Sequence, residues 1–137
     1  LEYFSVQRQQ HLQGTLPWIP SLRILRTMRT DISGTIPTRP LPYMEELLLS
    51  EMNRLSGTIP TELGLSVNLT NLQISNTMLS GTIPTQLGLL RELRRLWFHH
   101  GMIPNLDYDT EKPTDIQFSG TLPTQFARLP HLIEFFC

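Results

Sequence analysis

The pattern Gly-Thr-(Ile/Leu)-Pro occurs five times in 137 residues: in "QGTLPW" (13–18), "SGTIPT" (33–38), "LSGTIPTELG" (55–64), "SGTIPT" (80–85) and "SGTLPT" (119–124). Successive copies stand 20, 23, 24 and 39 residues apart. A chain that restates itself every two dozen residues must stack one small unit many times, because a unit so short cannot shelter its own apolar face. The last interval exceeds a 24-residue unit by 15, which predicts an insertion; "IPNLDYDTEKPTDIQ" (103–117) is the segment that fits.

Upstream of each copy runs a second pattern. Apolar residues stand at 69, 72, 74 and 79 in "LTNLQISNTMLSG", and at 93, 96, 98 and 103 in "LRRLWFHHGMI". "MEELLLSEMNRLSG" keeps 44, 47, 49 and 55 with one extra residue before the Gly. "LRILRTMRTDISG" keeps 22, 25 and 32 with Thr27 at the third site, and the chain opens on 1, 4 and 6 and closes on 132, 135 and 137. Leu-x-x-Leu-x-Leu is a short alternating strand whose apolar members point into a core. Gly then permits a turn that a side chain would obstruct, the Ile or Leu returns to the core, and Pro ends the extended segment. "TELGL" or "TQLGLL" carries the chain back across the far side, with Leu63 or Leu87 facing inward.

These residues resemble the plant-type leucine-rich repeat, Leu-x-x-Leu-x-Leu-x-x-Asn-x-Leu-Ser-Gly-x-Ile-Pro-x-x-Leu-Gly. Residues 55–90 carry it most faithfully, and the likeness covers nearly the whole chain. The resemblance implies an α/β solenoid: a parallel concave sheet of about six short strands, with short 3-10 or helical returns on the convex side. It implies one array over 1–137, of five to six repeats, read as part of a longer array, with 103–117 inserted in it. Such proteins include ectodomains of plant receptor-like kinases, inhibitors of pathogen cell-wall enzymes, and algal relatives. The family's Asn, which ties neighbouring turns together, is expected only at Asn53; Gln10, Thr30, Thr77 and Gly101 take the matching places. The family's paired cysteines are missing, and the returns after Pro17 and Pro37 are short, so the convex side is expected to be irregular there.

Function is expected on the side chains between the inward ones, which face the concave surface in three rows. The first is Tyr3, Ile24, Glu46, Asn71, Arg95, Glu134; the second Ser5, Arg26, Leu48, Gln73, Trp97, Phe136; the third Gln7, Met28, Ser50, Ser75, His99. Exposed Trp, Tyr, Met and Leu beside Arg are the types enriched at protein contact surfaces. Arg95, Trp97 and His99 form the expected centre of a partner-binding face that also takes in Tyr3, Ile24, Arg26, Met28, Leu48, Gln73, Glu134 and Phe136. Asp107, Tyr108, Asp109 and Glu111 in the inserted loop are further candidate contacts.

The remaining features argue against other chemistries. Eleven basic against twelve acidic residues give no polyanion-binding surface, and Lys112 is the only Lys. Asp107, Asp109, Glu111 and Asp115 lack the Gly and distal Glu of a calcium loop and read as a solvated acidic segment. His99 and His100 diverge as strand neighbours, so no metal site is expected. Cys137 stands at an inward strand position as a small buried thiol. No nucleophile–base set or phosphate-cradling Gly loop follows from the spacings, so neither catalysis nor a cofactor is expected. No apolar run approaches the roughly 20 residues that span a bilayer. No leader opens the chain, and its strand-like ends suggest a processed chain or the ordered part of a longer one.

Asn68-Leu69-Thr70 is a glycosylation sequon and points to the secretory pathway, with membrane association only through a partner or a missing flank. The expected function is therefore a non-catalytic recognition or assembly scaffold for a protein partner. One alternative is a structural subunit fixed in a larger complex through uncapped ends, with Phe4, Val6, Phe135 and Cys137 on open sheet edges. Another is an ice- or surface-binding rank formed by Thr15, Thr35, Thr58, Thr82 and Thr121. Against the rank stand the uneven intervals and an insertion expected to break its lattice.

Overall fold

The computed structural model describes residues 1–9, 11–99 and 117–136, with the backbone alone at His99 and Gln117. Expectations resting on Gln10, His100, Gly101, Asp107, Tyr108, Asp109, Glu111, Asp115 and Cys137 lie outside the described residues.

Six parallel strands lie side by side in chain order: β1 (Tyr3–Gln7), β3 (Ile24–Met28), β5 (Glu46–Thr58), β6 (Asn71–Thr82), β7 (Arg95–His99) and β9 (Glu134–Phe136). Their register follows the three predicted rows. Tyr3 pairs with Ile24, Ile24 with Glu46, Glu46 with Asn71, Asn71 with Arg95 and Arg95 with Glu134. The stacking is locked at each entry to the sheet by a shared acceptor. The carbonyls of Glu2, Arg23, Glu45, Thr70 and Arg94 each accept two backbone N–H groups from the following turn, at 2.7–3.2 Å.

Leu25, Leu47, Leu72 and Leu96 form one inward file, at most 1% exposed, and Leu49, Ile74 and Phe98 a second. Each such side chain contributes about 1.5–3 kcal/mol on burial. Thr27 completes the second file at the expected place and is 2% exposed. Its hydroxyl donates to the Met52 sulfur at 2.8 Å, so the polar atom is not left unpaired.

After three of the prolines the chain makes 3-10 turns, Thr61–Leu65, Thr85–Leu89 and Thr124–Arg128. Pro60, Pro84 and Pro123 are extended, and their carbonyls accept the N–H groups of Leu63, Leu87 and Phe126. Those three side chains are buried, as expected for Leu63 and Leu87. Among the described residues three of the returns are 3-10 turns and none is an α-helix, while no 3-10 turn follows Pro17 or Pro37. No described helix is long and apolar enough to cross a membrane.

A second parallel sheet, absent from the sequence expectation, flanks the first. β2 (Gln13–Thr15) pairs with β4 (Asp31–Gly34), β4 with the end of β5, the end of β5 with the end of β6, and that end with β8 (Gln117–Ser119). This sheet explains the Ser that so often precedes the repeated Gly: Ser33 donates to the Gly14 carbonyl at 3.0 Å and Ser80 to the Gly57 carbonyl at 3.5 Å. Gly81 has φ +89°, and a Cβ there would stand 3.2 Å from the methyl of Thr58 in the previous turn. The recurrent Gly and Thr thus fit each other across turns.

The expectations at Asn53 and Leu1 are corrected. Asn53 is exposed and ties no turns together; Met52 pairs with Thr77 and occupies the inward place, fully buried. The extra residue of this repeat falls between Met52 and Ser56, where the register shifts, so counting back from Gly57 lands one position late. Thr30, Met52 and Thr77 therefore form the file where the family carries Asn, and Thr30 Oγ1 is buried without a hydrogen-bond partner among the described residues. Leu1, expected inward, is 64% exposed because no described turn covers it from the other side. The stack continues across the long interval, as a solenoid of neighbour contacts allows: Ser80, Gly81 and Thr82 pair directly with Gln117, Phe118 and Ser119.

Candidate functional site

The concave face changes character along the stack. At the first turns it is ionic. Arg26 donates through two nitrogens to Glu46 Oε2, with its Nε at 2.8 Å. This hydrogen bond is the main reason the guanidinium pKa is raised above its ordinary value, with Tyr3 adding in the same sense and desolvation opposing. Ile24, Met28 and Leu48 are half-buried around it, while Tyr3 is half-exposed.

The middle is neutral and self-satisfied. Gln73 Nε2 donates to Ser50 Oγ at 3.0 Å and to Ser75 Oγ at 3.3 Å, and the two hydroxyls are 2.9 Å apart. A cluster that meets its own hydrogen-bond demand holds the rows rigid and makes a poor anchor for a ligand.

The far end is aromatic. Trp97 on β7 meets Phe136 on β9 edge to face, ring centroids 5.8 Å apart. Trp97 is half-buried, whereas Phe136 is 58% exposed. Arg95 and Glu134 sit one row away at 3.5 Å, the Arg side chain 56% exposed. Among the described residues the Trp97 indole N–H is shut from solvent without a hydrogen-bond partner, an arrangement that ordinarily costs about 1–3 kcal/mol. His99 lies on the same strand, its backbone paired with Ser75. The rows thus bring Arg95, Trp97, Glu134 and Phe136 together and leave Tyr3 and Arg26 at the opposite end.

Neither a protein-family model nor a curated relative matches the sequence. Solved structures do. A chain of the BIR3–SERK2 complex from Arabidopsis thaliana is similar over 96% of this chain, at 32% identity and a TM-score of 0.65. This is a plant-type leucine-rich-repeat protein. The plant peptide hormone receptor RGFR1, solved in complex with RGF2, is similar over 91% of the chain at 28% identity and a TM-score of 0.64. The chain spans 66% of the first structure and 22% of the second, so each neighbour extends beyond the likeness.

Two features of this leucine-rich-repeat protein were not found from the sequence. One is a file of left-handed residues, Arg8, Arg29, Glu51 and Asn76, with φ of 56°, 55°, 53° and 49°. It follows the concave segment of four successive turns, just beyond β1 and β3 and within β5 and β6. Only Asn76 advertises that conformation, since Asn tolerates it where Arg and Glu do not. Arg29 and Glu51 offset part of the strain by pairing across the turns, Nε to Oε2 at 2.5 Å, with both side chains largely buried. The other is a second threonine file, Thr61, Thr85 and Thr124, which borders an open groove together with Thr58, Thr82 and Thr121 of the rank written from the sequence.

Proposed function

We propose that this protein is a non-catalytic recognition scaffold that binds a protein or peptide partner on its concave face, in an extracellular or secretory setting. The observation that carries the reading is the aromatic end of that face. Trp97 and Phe136 stand on a sheet surface next to turns where Gln73, Ser50 and Ser75 bond to one another, and Arg95 borders them. A large aromatic pair rimmed by an ion pair is the composition of an interface anchor. Both structural neighbours were solved in complexes, one with RGF2, which supports a partner of the same kind here. Arg95 offers charge-assisted hydrogen bonds to a partner carboxylate or backbone carbonyl, while the ring faces take an apolar side chain.

The test is a titration of the partner obtained by crosslinking to the native protein. Trp97→Ala should weaken binding by about 2 kcal/mol, roughly 30-fold, as expected for an anchor. Thr85→Ala, on the opposite flank, should leave it unchanged. Equal affinity of wild type and Trp97→Ala would overturn the placement on this face.

A further inference from the structure

Away from the concave face, the chain leaving the 3-10 turn at 61–65 tightens again, with the Leu69 N–H bonded to the Ser66 carbonyl at 2.9 Å. Ser66 is fully buried, and its hydroxyl accepts the Leu41 N–H at 3.0 Å. That bond fixes this turn against the preceding one. The result is an apolar outer surface. Tyr43, Leu65, Val67 and Leu89 are 59%, 53%, 56% and 56% exposed, on three consecutive turns. Leu65 and Leu89 hold equivalent places in adjacent 3-10 turns. The bond from Asn68 to Pro42 and the matching places of Leu65 and Leu89 set these exposed side chains on neighbouring turns, where one occupant covers more than one of them.

Asn68 stands within this surface. It is exposed, flanked by Val67, and its Nδ2 donates to the Pro42 carbonyl, next to Tyr43, at 2.6 Å. Thr70, the third residue of the sequon, is half-buried, with its hydroxyl donating to the Glu45 carbonyl at 3.0 Å.

We infer that Asn68 carries an N-linked glycan whose first N-acetylglucosamine lies over Tyr43, Val67 and Leu65, and so covers this surface. In the transfer, Asn68 Nδ2 forms a bond to C1 of the sugar of a lipid-linked oligosaccharide donor. The C1–O bond to the lipid pyrophosphate breaks, that pyrophosphate leaves, and one amide proton is lost. The product is a secondary amide that retains one N–H, enough to keep the bond to the Pro42 carbonyl. A pyranose presents C–H groups on its ring faces, which suit an apolar bed, and hydroxyls at its rim, which face water. The folded turn thus holds the attachment point where the sugar replaces solvent over the apolar side chains.

The inference shares the secretory setting of the proposed function but not its binding face. The experiment uses the full chain secreted from a eukaryotic host. Intact mass before and after peptide-N-glycosidase should show a glycan that Asn68→Gln abolishes and Thr70→Ser retains. An endoglycosidase that leaves the first N-acetylglucosamine should keep Tm and the low binding of an apolar fluorescent dye. Asn68→Gln should raise dye binding several-fold and lower Tm by about 2–4 °C. Adding Tyr43→Ser and Val67→Ser to Asn68→Gln should return dye binding toward the glycosylated level. An unoccupied Asn68 overturns the inference, and so does a glycan whose complete loss leaves dye binding and Tm as they are in the trimmed form. Partner affinity at Trp97 is read separately, so either reading can fail without the other.

Discussion

Gly64 and Gly81 look alike in the sequence but are needed for different reasons. Gly81 supplies a positive φ, whereas Gly64 supplies space: a Cβ there would lie 2.3 Å from the Gln86 carbonyl oxygen and 2.6 Å from its carbon. Backbone cannot swing aside as a flexible side chain can, so Gly64→Ala should destabilise the protein by about 1–3 kcal/mol by forcing adjacent 3-10 turns apart. Urea unfolding of the variant checks this, and an unchanged midpoint would mean the turns are not packed so closely. Met52 and Asn53 give a second residue-level test. Met52→Ala should cost about 2–5 kcal/mol, because it removes a fully buried side chain and the acceptor of the Thr27 hydroxyl. Asn53→Ala should stay within about 0.5 kcal/mol. The reverse order would restore Asn53 to the inward file.

At the level of elements, the ion pairs between neighbouring turns work beside the backbone ladder rather than in place of it. Arg23 pairs with Glu45 and Glu2, Arg26 with Glu46, and Arg29 with Glu51. Hydrogen bonds to Glu45 and Glu46 raise the pKa of Arg23 and Arg26. A raised guanidinium pKa gives a contribution that is complete below the ordinary arginine range and lost only as pH climbs above it. The pairs differ in shelter: Arg29 and Glu51 side chains are 23% and 13% exposed, Arg95 and Glu134 56% and 36%. A double-mutant cycle should give a coupling of about 1 kcal/mol for Arg29–Glu51 and a distinctly smaller one for Arg95–Glu134. Equal couplings would show that the strained backbone, and not the ion pair, dominates at Arg29.

For the whole molecule, contacts run from turn to neighbouring turn, so a change in one connection should stay local. β6 accepts β7 along residues 71–75 and β8 along 80–82, and within β6 only residues 76–79 separate the two pairings. Shortening the link between β7 and β8 by 15 residues, to the repeat length, should leave Tm within about 2 °C. Calorimetry reads this directly, and a large loss would mean that the inserted segment helps hold the last turns. If the shortened protein keeps its Tm but loses its partner, the segment belongs to the recognition surface.

Periodicity alone placed the concave strands. Leu25, Leu47, Leu72 and Leu96 recur at fixed offsets, and the alternation of a strand then fixes which side chains face outward, so all three rows could be written before any coordinates. The spacing could not show where within its repeat the extra residue falls. That depends on which of Met52 and Asn53 packs better against Thr27 and Thr77, a contact between turns. The second sheet, the left-handed file and the self-satisfied Gln73–Ser50–Ser75 cluster were hidden for the same reason. Each arises where one turn meets the next, and a pattern read along one turn carries no term for its neighbour. The sequence by itself thus determined that the chain stacks, and with what register in its apolar files. Only the tertiary structure decided which outward residues are spent on one another, as Gln73, Ser50 and Ser75 are, and which, Phe136 foremost, stay exposed.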